Sequence, residues 1–130
     1  MPAKVDNLRS DINQLLKKGE FNEIVDRCHV ELTMARREKA TGVEITALLG
    51  LSEAQCALGH FDFARDYAAQ AVALSQNVRA MGLYIDALNA RARVFREGYF
   101  QTGEAYQDYI EAVNLAHETG DMSRYGASVL

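Results

Sequence analysis

The chain has 130 residues and a formal net charge of −4, with 48% hydrophobic and 25% charged residues. This is the composition of one ordinary globular domain, and the acidic balance argues against nucleic acid as a partner because phosphate binding needs a concentrated basic surface. No apolar run reaches the length of a membrane span, the N-terminal residues lack a signal-peptide core, and two cysteines make no disulfide framework. We therefore expect a cytoplasmic protein that does not act on membranes.

Helical periodicity runs through the whole chain. The only proline is Pro2, and Ala, Leu, Glu, Gln and Arg are frequent, which favours helix. Leu8, Ile12 and Leu15 illustrate the apolar spacing of the first helix, which Gly19 ends. The pattern predicts six helices. The second begins at about 21 and ends in the charged stretch 36–39, and the others span about 5–18, 43–58, 61–75, 79–97 and 102–118.

A short segment follows these helices. Gly120 suits a helix C-terminus and Asp121 an N-cap, so we expect a seventh helix at 121–130. It is too short to match the others. It is therefore either a capping helix, which terminal repeats require, or the truncated start of a further repeat.

One phrase recurs about every 40 residues. Gly19 and Phe21 return as Gly59 and Phe61, and more loosely near Gly98, where one residue is inserted. A second phrase, Ile-Thr-Ala-Leu at 45–48, returns as Ile-Asp-Ala-Leu at 85–88. Self-similarity at this period predicts a solenoid, in which no unit buries its apolar face alone. The chain then forms a single domain over 1–130, with repeats at about 4–41, 42–78 and 79–120.

These residues resemble the tetratricopeptide repeat family, whose helical hairpins favour small residues and an aromatic at fixed places. The central unit matches best, with Ser52, Gly59, Phe61, Ala64 and Ala71 at those places. The 40-residue period is similar to that of the long-repeat variants in bacterial regulators and kinesin light chains. The resemblance implies an all-α, right-handed solenoid of about three helical hairpins plus a short C-terminal helix.

The resemblance also implies a concave groove lined by the first helix of each hairpin. Projected onto this sequence, the groove positions are Arg9, Asn13, Lys17, Thr46, Leu49, Glu53, Cys56, Asp86, Asn89, Arg93 and Arg96.

Four cations among these positions, in an acidic protein, favour an acidic protein or peptide as the partner. The alternative is that they are ordinary surface charges paired with Glu53, Asp86 or Glu97. Some family members clamp a C-terminal carboxylate. Gly50 and Asp86 depart from that clamp's pattern, so we do not expect one here.

Other residues support weaker hypotheses. Tyr106, Tyr109 and Tyr125 fall in an aromatic-rich last third, which is either packing or a surface for homodimerisation through the C-terminal end. Cys56 and His60 are four residues apart, but no second pair of ligands completes a metal site. No phosphate loop or nucleophile motif occurs, so we expect no cofactor and no enzyme activity.

The sequence therefore predicts a protein- or peptide-binding scaffold or regulatory module, within a larger cytoplasmic signalling or transcription-regulatory protein. A self-association module is the main alternative. A small-ligand sensor, with the apolar third helix lining a pocket, is the third.

Overall fold

A computed structural model describes residues 2–120 of the chain, with side chains for residues 4–120. This part is all-helical and contains no strand. The predicted seventh helix at 121–130, including Tyr125, lies outside the described residues. The six helices are α1 (Pro2–Lys18), α2 (Phe21–Glu38), α3 (Thr41–Ala57), α4 (Phe61–Asn77), α5 (Met81–Gly98) and α6 (Thr102–Thr119).

The helices pack as three consecutive hairpins. Each helix packs against the next one along the chain, and within residues 2–120 the backbones of α1 and α3 and of α3 and α5 also approach closely. The odd-numbered helices therefore form one layer, and the even-numbered helices cover it, with side-chain contacts between α2 and α4 such as the 3.1 Å hydrogen bond from Arg36 to Gln70. This confirms the predicted all-α fold of repeated hairpins. No described helix combines the length and apolarity needed to cross a bilayer.

Each turn contains one residue with left-handed backbone. The glycines are Gly19, Gly59 and Gly120, and the non-glycine residues are Lys39, Arg79 and Phe100. Their spacing is 20 residues, apart from 21 between Arg79 and Phe100, so the 40-residue repeat consists of two similar halves. The Glu20 amide donates a hydrogen bond to the Leu15 carbonyl, five residues back. The Gln101 amide donates to the Phe95 carbonyl, six residues back. The single-residue insertion expected near Gly98 therefore lies in this turn.

The turn between α4 and α5 falls later than predicted. The sequence indicated a turn at 76–77 and a helix from Arg79, but α4 continues to Asn77 and α5 begins at Met81. Arg79 has φ of 56°, which a right-handed helix cannot accommodate. The prediction failed here because a left-handed arginine gives no sequence signal of the kind that glycine gives.

The core centres on α3. This helix contacts α1, α2, α4 and α5, and every residue from 45 to 52 is buried. Gly50 permits the close approach, because a Cβ atom there would lie 2.6 Å from Cys28 Sγ and 2.8 Å from Ile12 Cδ1. The buried Ser52 hydroxyl donates a 2.9 Å hydrogen bond to the Ala64 carbonyl on α4. A helix with four packed neighbours buries apolar residues on most of its circumference, which explains the unusually apolar composition of α3.

Candidate binding groove

A depression crosses the layer formed by α1, α3 and α5. Its volume is about 170 Å³. We call it the central groove; its lining residues are Arg9, Ile12, Asn13, Thr46, Leu49, Gly50, Glu53, Asp86, Asn89, Ala90 and Arg93. Most of these positions recur at intervals of 40, such as 9, 49 and 89 or 13, 53 and 93. The groove is therefore a direct product of the repeat, because equivalent residues of the three odd-numbered helices lie side by side.

Small residues make the depression. Gly50 and Ala90 occupy equivalent places on α3 and α5, and both are buried. The Thr46 hydroxyl donates a 2.8 Å hydrogen bond to the Gly42 carbonyl, so its polar atom is satisfied within its own helix. Leu49 adds apolar surface between them. Small and apolar residues therefore form much of the floor of the groove, and the charged side chains stand around them.

An ion pair spans the groove. Arg9 Nη2 lies 3.5 Å from Asp86 Oδ2, although α1 and α5 are not packed against each other. The arginine side chain reaches over α3 to meet the carboxylate. This contact joins the first hairpin to the third across the central one.

Glu53 lies at the centre of the charged residues. Burial raises the pKa of its carboxyl group above the usual value, and Asp86 raises it further. Arg93 is the strongest opposing influence, followed by Arg9. The two arginines therefore compensate only part of the cost of ionising this carboxyl group.

The structure brings together eight of the eleven positions projected onto the groove. Arg9, Asn13, Leu49, Glu53, Asn89 and Arg93 all line it, as do the projected positions Thr46 and Asp86. Ile12, Gly50 and Ala90 were not predicted as lining residues. Gly50 and Ala90 could have been identified from the sequence, because they are small residues one repeat apart.

The remaining projected residues lie elsewhere. Lys17 is exposed on α1 and does not line the central groove, although it shares a separate shallow depression with Arg9 and Asn13. The Arg96 guanidinium lies 6.0 Å from the centre of the Tyr109 ring and 3.5 Å from Glu97. Cys56 is buried and its thiol donates a 3.3 Å hydrogen bond to Glu97.

A second candidate surface lies on α6. Tyr106 is 66% exposed and Ile110 is 42% exposed, whereas Tyr109 is half-buried. We call this surface the α6 face; it is a shallow depression of about 400 Å³ lined by Tyr106, Gln107, Ile110, Glu111, Asn114, Leu115 and Glu118. Of the tyrosines predicted for self-association, the structure thus exposes Tyr106 and packs Tyr109 against Arg96.

The cysteines and histidines form no joint site. Burial raises the pKa of both the Cys28 and the Cys56 thiol to about 12, which makes them poor nucleophiles and poor metal ligands at neutral pH. The His60 ring is hydrogen-bonded to Gln55 and does not meet Cys56. Within residues 2–120, no three His, Cys, Asp or Glu side chains cluster in a way that could hold a metal ion.

Comparison of the chain with protein-family models, with curated proteins and with solved structures gives no match. The resemblance to the tetratricopeptide repeat family therefore rests on the residues of the chain itself.

Proposed function

We propose that this chain is a protein-interaction module that binds a peptide segment in the central groove. The observation that carries the proposal is the convergence of equivalent residues from α1, α3 and α5 on one depression. Charged and amide side chains there stand on three packed helices, so the backbone positions from which they reach a ligand are fixed relative to one another. Such a layout suits recognition of a segment with polar side chains.

The lining residues favour binding over catalysis. They include no serine, cysteine or histidine, and the two carboxyl groups, Glu53 and Asp86, are held near arginines. No pairing of nucleophile and base occurs among them. We therefore propose no reaction for this site, and we place the module in a larger cytoplasmic signalling or regulatory protein, as its repeat length suggests.

The proposal is tested by blocking the groove. Peptides are selected on the full chain from a phage-displayed library of random dodecamers, and their affinities are then measured for two variants. Ala90→Phe fills the groove, whereas Ala73→Phe adds the same side chain to the exposed surface of α4. We expect Ala90→Phe to lose most of the affinity and Ala73→Phe to retain it. Equal affinity for both variants, or no enriched peptide, would contradict the proposal.

Self-association through the α6 face is a second candidate, favoured by the exposure of Tyr106 and Ile110. Sedimentation of the full chain tests it with a matched pair of double variants. Tyr106→Ser with Ile110→Ser removes apolar surface from α6, and Val30→Ser with Met34→Ser removes exposed apolar surface from α2. A dimer lost only in the α6 variant supports self-association. A monomer at all concentrations would remove this candidate.

A further inference from the structure

We infer that the central groove selects a segment that presents a cationic side chain to Glu53 and Asp86 and a carboxylate to Arg9 and Arg93. This inference rests on the proposed function and specifies its ligand. It differs from the acidic peptide expected from the sequence, because the structure places the carboxyl groups of the groove next to its cations.

The two signs of charge occupy different depths. In the Arg9–Asp86 pair, the arginine side chain is 39% exposed and the aspartate 21%. The same order holds for the other two charged lining residues, since Arg93 is exposed and Glu53 is half-buried. A ligand entering from solvent therefore meets guanidinium groups first and carboxyl groups below them. A long cationic side chain can reach the lower layer while a neighbouring carboxylate remains at the rim.

An acidic segment gains little from this arrangement. The four charged lining residues sum to zero when all are ionised, so no net field attracts an anion. Arg9 is already paired with Asp86, so an acidic ligand must compete with that carboxylate for Arg9. A ligand that carries both charges replaces both halves of the pair. The Arg9–Asp86 bridge thus discriminates against ligands that bring only one sign of charge.

The state of Glu53 agrees with this preference. Its pKa is raised because burial outweighs the favourable influence of Arg93 and Arg9. The charged groups that act on it are those two arginines and Asp86, and the buried Cys28 and Cys56 thiols also lie close enough to interact with it. An additional cation from a ligand would stabilise the ionised carboxylate. It would thus offset the part of the burial cost that Arg93 and Arg9 leave uncompensated.

The size of the groove favours a single side chain over a whole metabolite. Its volume of about 170 Å³ is below the range of roughly 300–1,000 Å³ that small-molecule sites occupy. The aliphatic stem of a lysine or arginine can lie against Ile12 and Leu49 while its charge reaches Glu53. This argues for a peptide ligand and against the small-ligand sensor.

The test uses the composition of the peptides selected on the full chain. We expect enrichment of lysine or arginine with an aspartate or glutamate close by. Peptides that depend on the groove but contain acidic residues and no cation would overturn this inference while leaving the proposed function intact. If no selected peptide loses affinity for Ala90→Phe, the proposed function itself fails. The two failures are therefore distinguishable.

Substitutions in both partners sharpen the result. Glu53→Gln and Asp86→Asn should each weaken the selected peptide by about 10- to 100-fold, the usual effect of losing one hydrogen bond to a charged group. Replacing the cationic residue of the peptide by glutamine should give a similar loss on the full chain and little further loss on Glu53→Gln. Asp66→Asn, an exposed change on α4, is the control and should have no effect. Unchanged affinity for folded Glu53→Gln and Asp86→Asn would overturn the inference.

Discussion

The two outer hairpins hold opposite versions of one contact. In the first hairpin, Arg27 on α2 donates to Asp11 on α1 at 2.8 Å. In the third, Arg91 on α5 makes two 2.9 Å hydrogen bonds to Asp108 on α6. The positions are equivalent within the repeat once the inserted residue is counted, but the acidic and basic residues have changed places. The contact between the helices has therefore been kept while the sequence at each position has not.

The central hairpin replaces this ion pair with apolar residues. The equivalent positions hold Leu51, which is fully buried, and Tyr67, which packs against the main core. Because α3 has neighbours on all sides, an ion pair there would lose its hydration on both partners. The comparison teaches that the same place in the repeat carries charge only where a helix retains contact with water.

The largest expected effect concerns the third hairpin. The Asp108 side chain is 9% exposed and that of Arg91 29%, whereas the Asp11 and Arg27 side chains are each more than 40% exposed. We expect Asp108→Ala to lower the free energy of unfolding by about 2–4 kcal/mol, because it leaves a partly buried arginine unpaired. Asp11→Ala should cost less than about 1 kcal/mol. Urea denaturation measures both, and equal losses would break the comparison.

A double variant sharpens this result. Arg91→Leu with Asp108→Tyr introduces into the third hairpin the residue types of the central one. We expect it to recover most of the stability lost in Asp108→Ala, because it removes both charges together. A double variant less stable than Asp108→Ala would show that the two hairpins are not interchangeable at this contact.

The second prediction concerns the packing between α4 and α5. A Cβ atom at Gly98 would lie 2.6 Å from Phe61 Cγ and 2.7 Å from its Cβ, so Gly98→Ala must displace the ring. We expect a loss of about 1–3 kcal/mol in unfolding free energy. Gly103→Ala is the matched control, because a Cβ atom there meets nothing within 4 Å. If Gly98→Ala and Gly103→Ala have the same free energy of unfolding, the close contact between Gly98 and Phe61 is wrong.

The third prediction compares a glycine turn with a non-glycine turn. Gly59 and Arg79 both have positive φ, of 83° and 56°. Gly59→Ala should lower the unfolding free energy by about 1–2 kcal/mol, the usual cost of the left-handed conformation for an L-residue. Arg79→Gly should raise it by up to about 1 kcal/mol, for the same reason in reverse. Thermal unfolding measures both changes. If they had the same sign, the two turns would not be equivalent.

The smallest prediction concerns pH. A carboxyl group whose pKa is higher in the folded state binds more protons when folded, so stability falls as pH rises through that range. The pKa of Glu53 is raised by burial, above its usual value of about 4.5. Glu53→Gln should therefore have the same free energy of unfolding as the native chain at low pH. It should become the more stable of the two as pH rises above about 4.5. Urea denaturation as a function of pH checks this, and a constant difference would contradict it.

Much of the fold follows from local signals. Gly19 and Gly59 marked turns that the structure has, and the apolar spacing gave six helices with small errors at their ends. Arg79 and Phe100 were not identifiable as left-handed residues, because neither residue type favours that conformation. Turn positions without glycine were therefore the least predictable part of the chain.

The groove could be predicted from the repeat, but its charge arrangement could not. Equivalent positions gave Asn13, Glu53 and Arg93 together, because the repeat fixes which helix surface they share. The Arg9–Asp86 bridge joins the first hairpin to the third and depends on how far α1 and α5 are separated by α3. That distance is a property of the packed structure, so the sequence offered Glu53, Asp86 and Glu97 as possible partners of these cations without deciding which pairs form.

The most direct test of the account is to map a selected peptide onto the full chain by backbone amide chemical shifts. The central groove predicts that the largest shifts occur along α1, α3 and α5, around Asn13, Glu53 and Asn89, while α2 and α4 change little. Shifts concentrated on α6 around Tyr106 and Ile110 would contradict it and would make the α6 face the binding surface.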